Sequence, residues 1–196
     1  MLRGPTGVGK TEVLHALASQ GAQVLDLEAL ACHRGSAFGG IDQPRQPTHT
    51  AFESGIADAW QTSSSTRPLF CEEEGDYLGS VGIPRALLDA AFDAPWIELR
   101  APVHARVARL VRVFGGASPD ALRRAAGSIR RLPRPERTEV DFAITDGDLA
   151  RAARTLLGYY DRAYAHRRAR VTQPALFVLD DASPDMLAAA IVSASR

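Results

Sequence analysis

A chain of 196 residues, 45% hydrophobic and 23% charged, is long enough to bury one substantial α/β core, and none of its apolar runs nears the roughly 18 residues a membrane helix needs. Its two cysteines, Cys32 and Cys71, lie far apart without C-x-x-C spacing, which argues against a disulfide framework or a zinc site and for reduced packing residues in a cytoplasmic protein with no membrane partner. The net charge of zero conceals a division: residues 1–99 carry 6 basic and 13 acidic residues (net −7) and residues 100–196 carry 17 and 10 (net +7), so the second half is the one expected to face a polyanion.

Only Met1-Leu2-Arg3 stand before Gly4-Pro5-Thr6-Gly7-Val8-Gly9-Lys10-Thr11, a full match to the phosphate-loop pattern G-x-x-x-x-G-K-[ST], so either the first strand is a stub or the chain starts inside a longer protein. Lys10 is the single lysine, against 22 arginines. A loop that wraps its N–H groups around a phosphate takes a compact ammonium on a thin stem more readily than a planar guanidinium. Gly4, Gly7 and Gly9 let the backbone approach the oxygens, and the Thr11 hydroxyl is placed to ligate Mg²⁺. Val13, Leu14 and Leu17 follow at helical spacing, predicting a helix over 10–20 whose N-terminus favours an anion.

A strand is predicted over 23–27. Its period of two would place Asp26 and Glu28 on one face, where Asp26 could hold a substrate hydroxyl or a metal-bound water; the alternative role for Asp26 is a helix N-cap. Residues 32–48, rich in Gly, Pro and Gln, read as a long loop, and within it His33, Arg34 and Ser36 form a mixture suited to gripping an anion. A helix over 49–61 leads to a strand over 69–72 closed by Glu72-Glu73-Glu74. That is the form of a Walker B strand, with Glu72 the first candidate to meet Mg²⁺ and, with Asp26, a candidate catalytic group. A helix over 84–92, a strand over 95–99, helices over 103–114, 121–131 and 149–166, a strand over 175–179 and a helix over 184–194 complete the chain. Pro84 and Pro184 suit first-turn positions, and Asp148 can cap the long helix. Strands alternating with helices predict a three-layer α/β fold of P-loop NTPase type, one domain over 1–196 with a parallel sheet and an arginine-rich helical insertion at about 115–170. Arg100 to Arg137 holds ten arginines against Asp120 and Glu136. Arg123, Arg124, Arg130 and Arg131 would share one helix face, with Arg134 beyond it, as a stripe for a nucleic-acid backbone. The alternative is that these arginines pair with acids such as Glu139 and Asp141.

Val24-Leu25-Asp26-Leu27-Glu28 followed by His33-Arg34-Gly35-Ser36-Ala37-Phe38-Gly39, then Phe52-Glu53, Glu72-Glu73-Glu74, Leu78-Gly79, Ile83-Pro84 and Tyr159-Tyr160-Asp161 with Tyr164, resembles the phosphate-loop domain of bacterial tRNA 2-selenouridine synthases. The resemblance implies a transferase acting on tRNA, replacing the sulfur of wobble 2-thiouridine by selenium through an S-geranylated intermediate, with geranyl diphosphate and selenophosphate as donors. Geranyl diphosphate, ATP and GTP all suit the loop. The family sets a rhodanese-like domain before the phosphate loop; no such sequence stands in these 196 residues, so selenium transfer by this chain alone is not expected and a separate rhodanese-like protein is an implied partner. Cys32, Gly75-Asp76 and Arg162 depart from the family's usual Asn, Ser-Arg and Pro. Asp76 reverses a charge beside the acidic strand. Two other functions fit the same residues: a small-molecule kinase in which Asp26 orients a hydroxyl, and a non-catalytic module that binds nucleotide and tRNA.

Overall fold

The computed structural model describes residues 1–169, 171 and 173–194. Strand β1 (Leu2–Arg3) is a stub, and the phosphate loop leads from it into helix α1 (Lys10–Ser19). Then come β2 (Gln23–Leu25), α2 (Leu27–Ala31), α3 (His49–Thr62), β3 (Leu69–Cys71), a hairpin of β4 (Tyr77–Leu78) and β5 (Val81–Gly82), α4 (Arg85–Asp93) and β6 (Ile97–Leu99). Helices α5 (Val103–Phe114), α6 (Pro119–Ser128), α7 (Arg134–Thr145) and α8 (Leu149–Arg168) form the helical half, and β7 (Phe177–Leu179) and α9 (Pro184–Ala194) return to the sheet.

Strands β2 and β3 pair in parallel, as do β1 with β6 and β6 with β7. A parallel bridge between Leu2 and Glu72, with Glu73 N donating to Leu2 O at 2.8 Å, joins the two ladders in the order β2-β3-β1-β6-β7. Side chains alternate across this sheet, so β2 and β3 feed the cores on both of its faces. Leu2, Phe70, Ile97 and Leu99 pack with Val13, Leu14 and Leu17 of α1 and Leu187, Ala188 and Ile191 of α9. Leu25 and Cys71 point the other way, onto Leu27, Phe52, Ile56 and the hairpin residues Leu78 and Val81. The result is the predicted three-layer P-loop NTPase-like fold. The helical half has its own core, of Phe38, Leu122, Ile129, Leu132, Val140, Ile144 and Leu156, and α5 packs along α8 through Val107, Ala153 and Leu157. Among the described residues no helix is long and apolar enough to cross a membrane.

Three predicted elements are corrected. Strand β2 stops at Leu25 because the Asp26 side chain accepts a hydrogen bond from Ala29 N at 2.8 Å and caps a short helix; Glu28 therefore sits on α2, not on a strand face shared with Asp26. The helix expected over 121–131 ends at Ser128, so Arg130 and Arg131 lie in the α6–α7 turn. Ile129 and Leu132, 7% and 4% exposed, pull that turn into the core, and the Arg137 guanidinium donates to the carbonyls of Ala126, Gly127, Ile129 and Leu132. Helix α7 is not among the predicted helices, and two prolines stand at its start. In the structure Pro133 is the N-cap and Pro135 falls in the first turn, where a missing N–H costs nothing.

Candidate functional site

The loop after β1 closes with Val8 N donating to Pro5 O at 3.1 Å, and Gly7 and Gly9 take positive φ values of 76° and 97°. At Gly9 the constraint is double, since an added Cβ would also stand 3.1 Å from the Arg109 guanidinium. Gly9 is the N-cap of α1, so Lys10 and Thr11 open a helix whose free N–H groups face the loop. The Thr11 hydroxyl lies 3.1 and 3.2 Å from the two oxygens of Glu72 and 3.2 Å from Glu28 Oε2. One proton serves both carboxylates, so it can be donated to only one at a time.

Glu28 and Glu74 join Glu72 in a cluster where one oxygen from each residue lies within 4.8 Å of the others. Sequence reasoning singled out Glu72 alone. The fold adds Glu28 because α2 turns it toward the loop, and Glu74 because the chain after β3 runs along the same cleft. Gly35 sits above them: a Cβ there would meet Glu28 Oε1 at 2.9 Å and Glu74 Oε2 at 3.0 Å. Burial pushes Glu28 from its ordinary 4.5 up to about 8, with repulsion from Glu72 and Glu74 adding and Lys10 and the Thr11 hydroxyl opposing. Glu74 is pushed to about 7, by burial first, with Lys10 working against it and Glu72 with it. Glu72 is raised by burial too, against the pull of Lys10 and Thr11. Hard oxygen donors gathered beside a phosphate loop are the donor set that Mg²⁺ takes; Thr11 and Glu72 could hold it, with Glu28 and Glu74 beside them.

Two arginines that sequence reasoning did not assign brace the loop. Arg106, 4% exposed, donates from Nε to Thr6 O at 2.8 Å and grips Asp161 with both terminal nitrogens at 3.0 and 2.6 Å. Arg109 donates to Gly7 O and to Glu12 Oε2, both at 2.8 Å, and Arg112 also reaches Glu12. Their signal was present as Arg106, Arg109 and Arg112 at three-residue spacing on α5; of these, Arg109 and Arg112 meet Glu12 in the first turn of α1.

A cleft of about 450 Å³ connects these groups; it is lined by the loop, the three glutamates, Arg34, Ser36, Tyr77, Arg109 and Arg167. Arg34 and Ser36 thus stand where an anion loop was expected. His33 does not: its ring is buried against Gly39, Gly40 and Gly79, burial lowers its pKa, and Nδ1 finds no hydrogen-bond partner among the described residues. Asp26 is absent from the cleft lining as well, since it caps α2 and meets His15 Nε2 at 2.6 Å. Of the predicted arginine stripe, Arg123 is paired with Asp141 at 2.6 Å, as the alternative reading expected. Arg124, Arg130, Arg131 and Arg134 remain exposed around the α6–α7 turn, with no ion-pair partner found among the described residues.

Fold and site together define a phosphate-loop domain whose loop is braced by a helical half bearing arginines. The chain belongs to the tRNA 2-selenouridine synthase AAA domain family, whose model matches residues 1–129. It is 40% identical over 116 residues to the tRNA 2-selenouridine synthase of Cupriavidus pinatubonensis, covering 58% of this chain and 30% of that protein. To the enzyme of the same name from Hydrogenovibrio crunogenus it is 41% identical over 108 residues, covering 54% of this chain and 28% of that protein. The match thus spans about three tenths of those relatives' length. The crystal structure of TT1252 from Thermus thermophilus, 18% identical, superposes on 100% of this chain and 96% of its own with a TM-score of 0.46.

The raised carboxylates make stability depend on pH. Between the ordinary 4.5 and about 8 the folded protein keeps a proton on Glu28 that the unfolded chain has lost, so this contribution is complete below 4.5 and disappears as pH rises through 8. Thermal melts without metal are expected to show a melting temperature that falls from about pH 5.5 to about pH 8.5, and Glu28→Gln should flatten the fall. A melting temperature that climbs over this interval, with the variant following the same curve, would contradict the electrostatics of the cluster.

Proposed function

We propose that this chain is the phosphate-loop part of a tRNA 2-selenouridine synthase, acting in the cytoplasm on wobble 2-thiouridine, with geranyl diphosphate and Mg²⁺ in the loop and tRNA on the helical half. The observation that carries the choice of geranyl diphosphate over ATP or GTP is a second cavity. It is almost wholly apolar, about 60 Å³, and shares Thr6, Ser36, Leu110, Phe114 and Tyr160 with the phosphate cleft. Too small to take up the ten-carbon chain itself, it marks an apolar wall beside the phosphate cleft, formed by Leu110, Phe114 and Tyr160, against which a ligand with an anionic head can lay an apolar tail.

In this reading the loop N–H groups and Lys10 neutralise the diphosphate, and Thr11 and Glu72 would hold Mg²⁺, which would supply further positive charge there. As the thiocarbonyl sulfur bonds to the allylic carbon, the carbon–oxygen bond breaks and the electron pair leaves with the diphosphate, whose charge these residues receive. Arg106 and Arg109 hold the carbonyls of Thr6 and Gly7 turned away from the phosphates, and Arg34 and Arg167 close the rim. Exchange of sulfur for selenium, from selenophosphate, is assigned to a rhodanese-like partner working with this chain. The kinase alternative loses its support at Asp26, the group that would have oriented the hydroxyl, which caps α2.

Calorimetric titration with geranyl diphosphate, ATP and GTP in Mg²⁺ tests the reading. Geranyl diphosphate should bind more tightly than either nucleotide, and Lys10→Ala should lower its affinity by at least about tenfold, or 1.4 kcal/mol. Lys10→Arg should fail as well. Equal binding by parent and Lys10→Ala would overturn the loop assignment. For tRNA, the affinity of the parent should fall steeply with salt, and reversing Arg130 and Arg131 to Glu should flatten the slope by roughly one per lost phosphate contact. An unchanged slope in a folded double variant would remove RNA from this surface.

A further inference from the structure

Tyr77 is 68% exposed, yet the hairpin that carries it is held from several sides. Gln46 Nε2 donates to Leu78 O at 2.9 Å and to Ala31 O at 3.0 Å, while its Oε1 accepts from Ser80 N at 2.9 Å and from Ser80 Oγ at 3.1 Å. Gly82 N donates to His49 Nδ1 at 3.3 Å, and Leu78 and Val81 are buried at 0% and 2% exposure. The ring itself is seated. Tyr77 pairs across the ladder with Gly82, and a Cβ on Gly82 would stand 3.2 Å from Tyr77 Cε1 and 3.0 Å from His49 Cε1, so the ring lies close over the glycine backbone. The backbone that carries the ring is thus held before any ligand arrives, with most of an aromatic surface left in water. That surface lines the same cleft as Lys10, Thr11 and Arg34.

We propose that Tyr77 is a stacking platform that receives an unpaired base of an RNA substrate at the mouth of the phosphate cleft. The proposal rests on the RNA reading above and adds the place where the acceptor base is met. An aromatic side chain of low conformational freedom can stack on any base that offers a free π-face, and a base inside a duplex offers none. Arg34 and Arg167 at the same cleft supply cations for the backbone of the strand that bears the base.

The test compares an RNA hairpin with a seven-base unpaired loop and a fully paired duplex of similar length, titrated with parent, Tyr77→Ala, Tyr77→Phe and Tyr77→Trp. Tyr77→Ala should bind the hairpin about tenfold more weakly, with the duplex affinity and the salt slope unchanged, because stacking releases no counterions. Tyr77→Phe and Tyr77→Trp should stay within about twofold of the parent, since the ring and not the hydroxyl is required. A melting temperature of Tyr77→Ala close to that of the parent shows that the hairpin still folds. Three results overturn the proposal: undiminished hairpin binding by Tyr77→Ala, a loss in Tyr77→Phe as large as in Tyr77→Ala, or a loss confined to ATP or GTP, which would place a nucleotide's base on the ring. A parent that binds neither RNA overturns the RNA reading as well, whereas RNA binding indifferent to Tyr77 overturns the platform alone.

Discussion

A single buried guanidinium ties the two halves of this molecule together. Arg106 rises from α5 with one nitrogen on the Thr6 carbonyl and the other two on Asp161 of α8. A charge at 4% exposure must be paired, and here the pairing partners belong to the phosphate loop and to the helical half. Removing Asp161 would leave that charge buried and uncompensated, so this interaction couples the position of α8 to the shape of the loop. Arg109 repeats the arrangement one turn on, between the Gly7 carbonyl and Glu12. Loop geometry in this fold is therefore a property of the helices across from it as well as of the glycines within it.

The second constraint is electrostatic and opposes the first. Glu28, Glu72 and Glu74 concentrate acid where the sheet ends, and Lys10 is the cation that works against all three carboxylates. In the free domain the conflict is relieved by keeping protons on Glu28 and Glu74. A bound cation would relieve it differently, by taking the place of those protons. The cluster is thus poorly satisfied by the protein alone, and sites in that condition are where sequence-level rules are expected to give way to function.

What the sequence made legible was what is local. The phosphate loop announces itself through residues 4–11, and the alternation of Leu2, Phe70 and Ile97 with residues of the opposite face follows from ordinary strand periodicity. Of the two roles open to Asp26 the structure takes the helix cap, because the strand period of two ends at Leu25 and the Ala29 amide three residues on needs an acceptor. Helix α7 hid behind Pro133 and Pro135, which break a helix inside it and begin one at its edge. The arginine stripe failed at Arg123, whose partner Asp141 is 18 residues away on another helix. Nothing in the chain's local pattern could bring Glu28 and Glu74 to Glu72, or Arg106 to Thr6 across 100 residues, since those meetings are made by the sheet order.

Under the proposed function the acidic cluster and the loop form one site for a metal-bound diphosphate. Counting protons tests it most directly: titrate Mg²⁺ with geranyl diphosphate into the protein near pH 7, in two buffers of different ionisation heat. If Glu28 and Glu74 must ionise to meet the cation, binding releases protons, about one per site at this pH, and Glu28→Gln lowers the number. Tight binding with no proton released, or the same release from Glu28→Gln, would show that the diphosphate and its metal sit apart from the cluster.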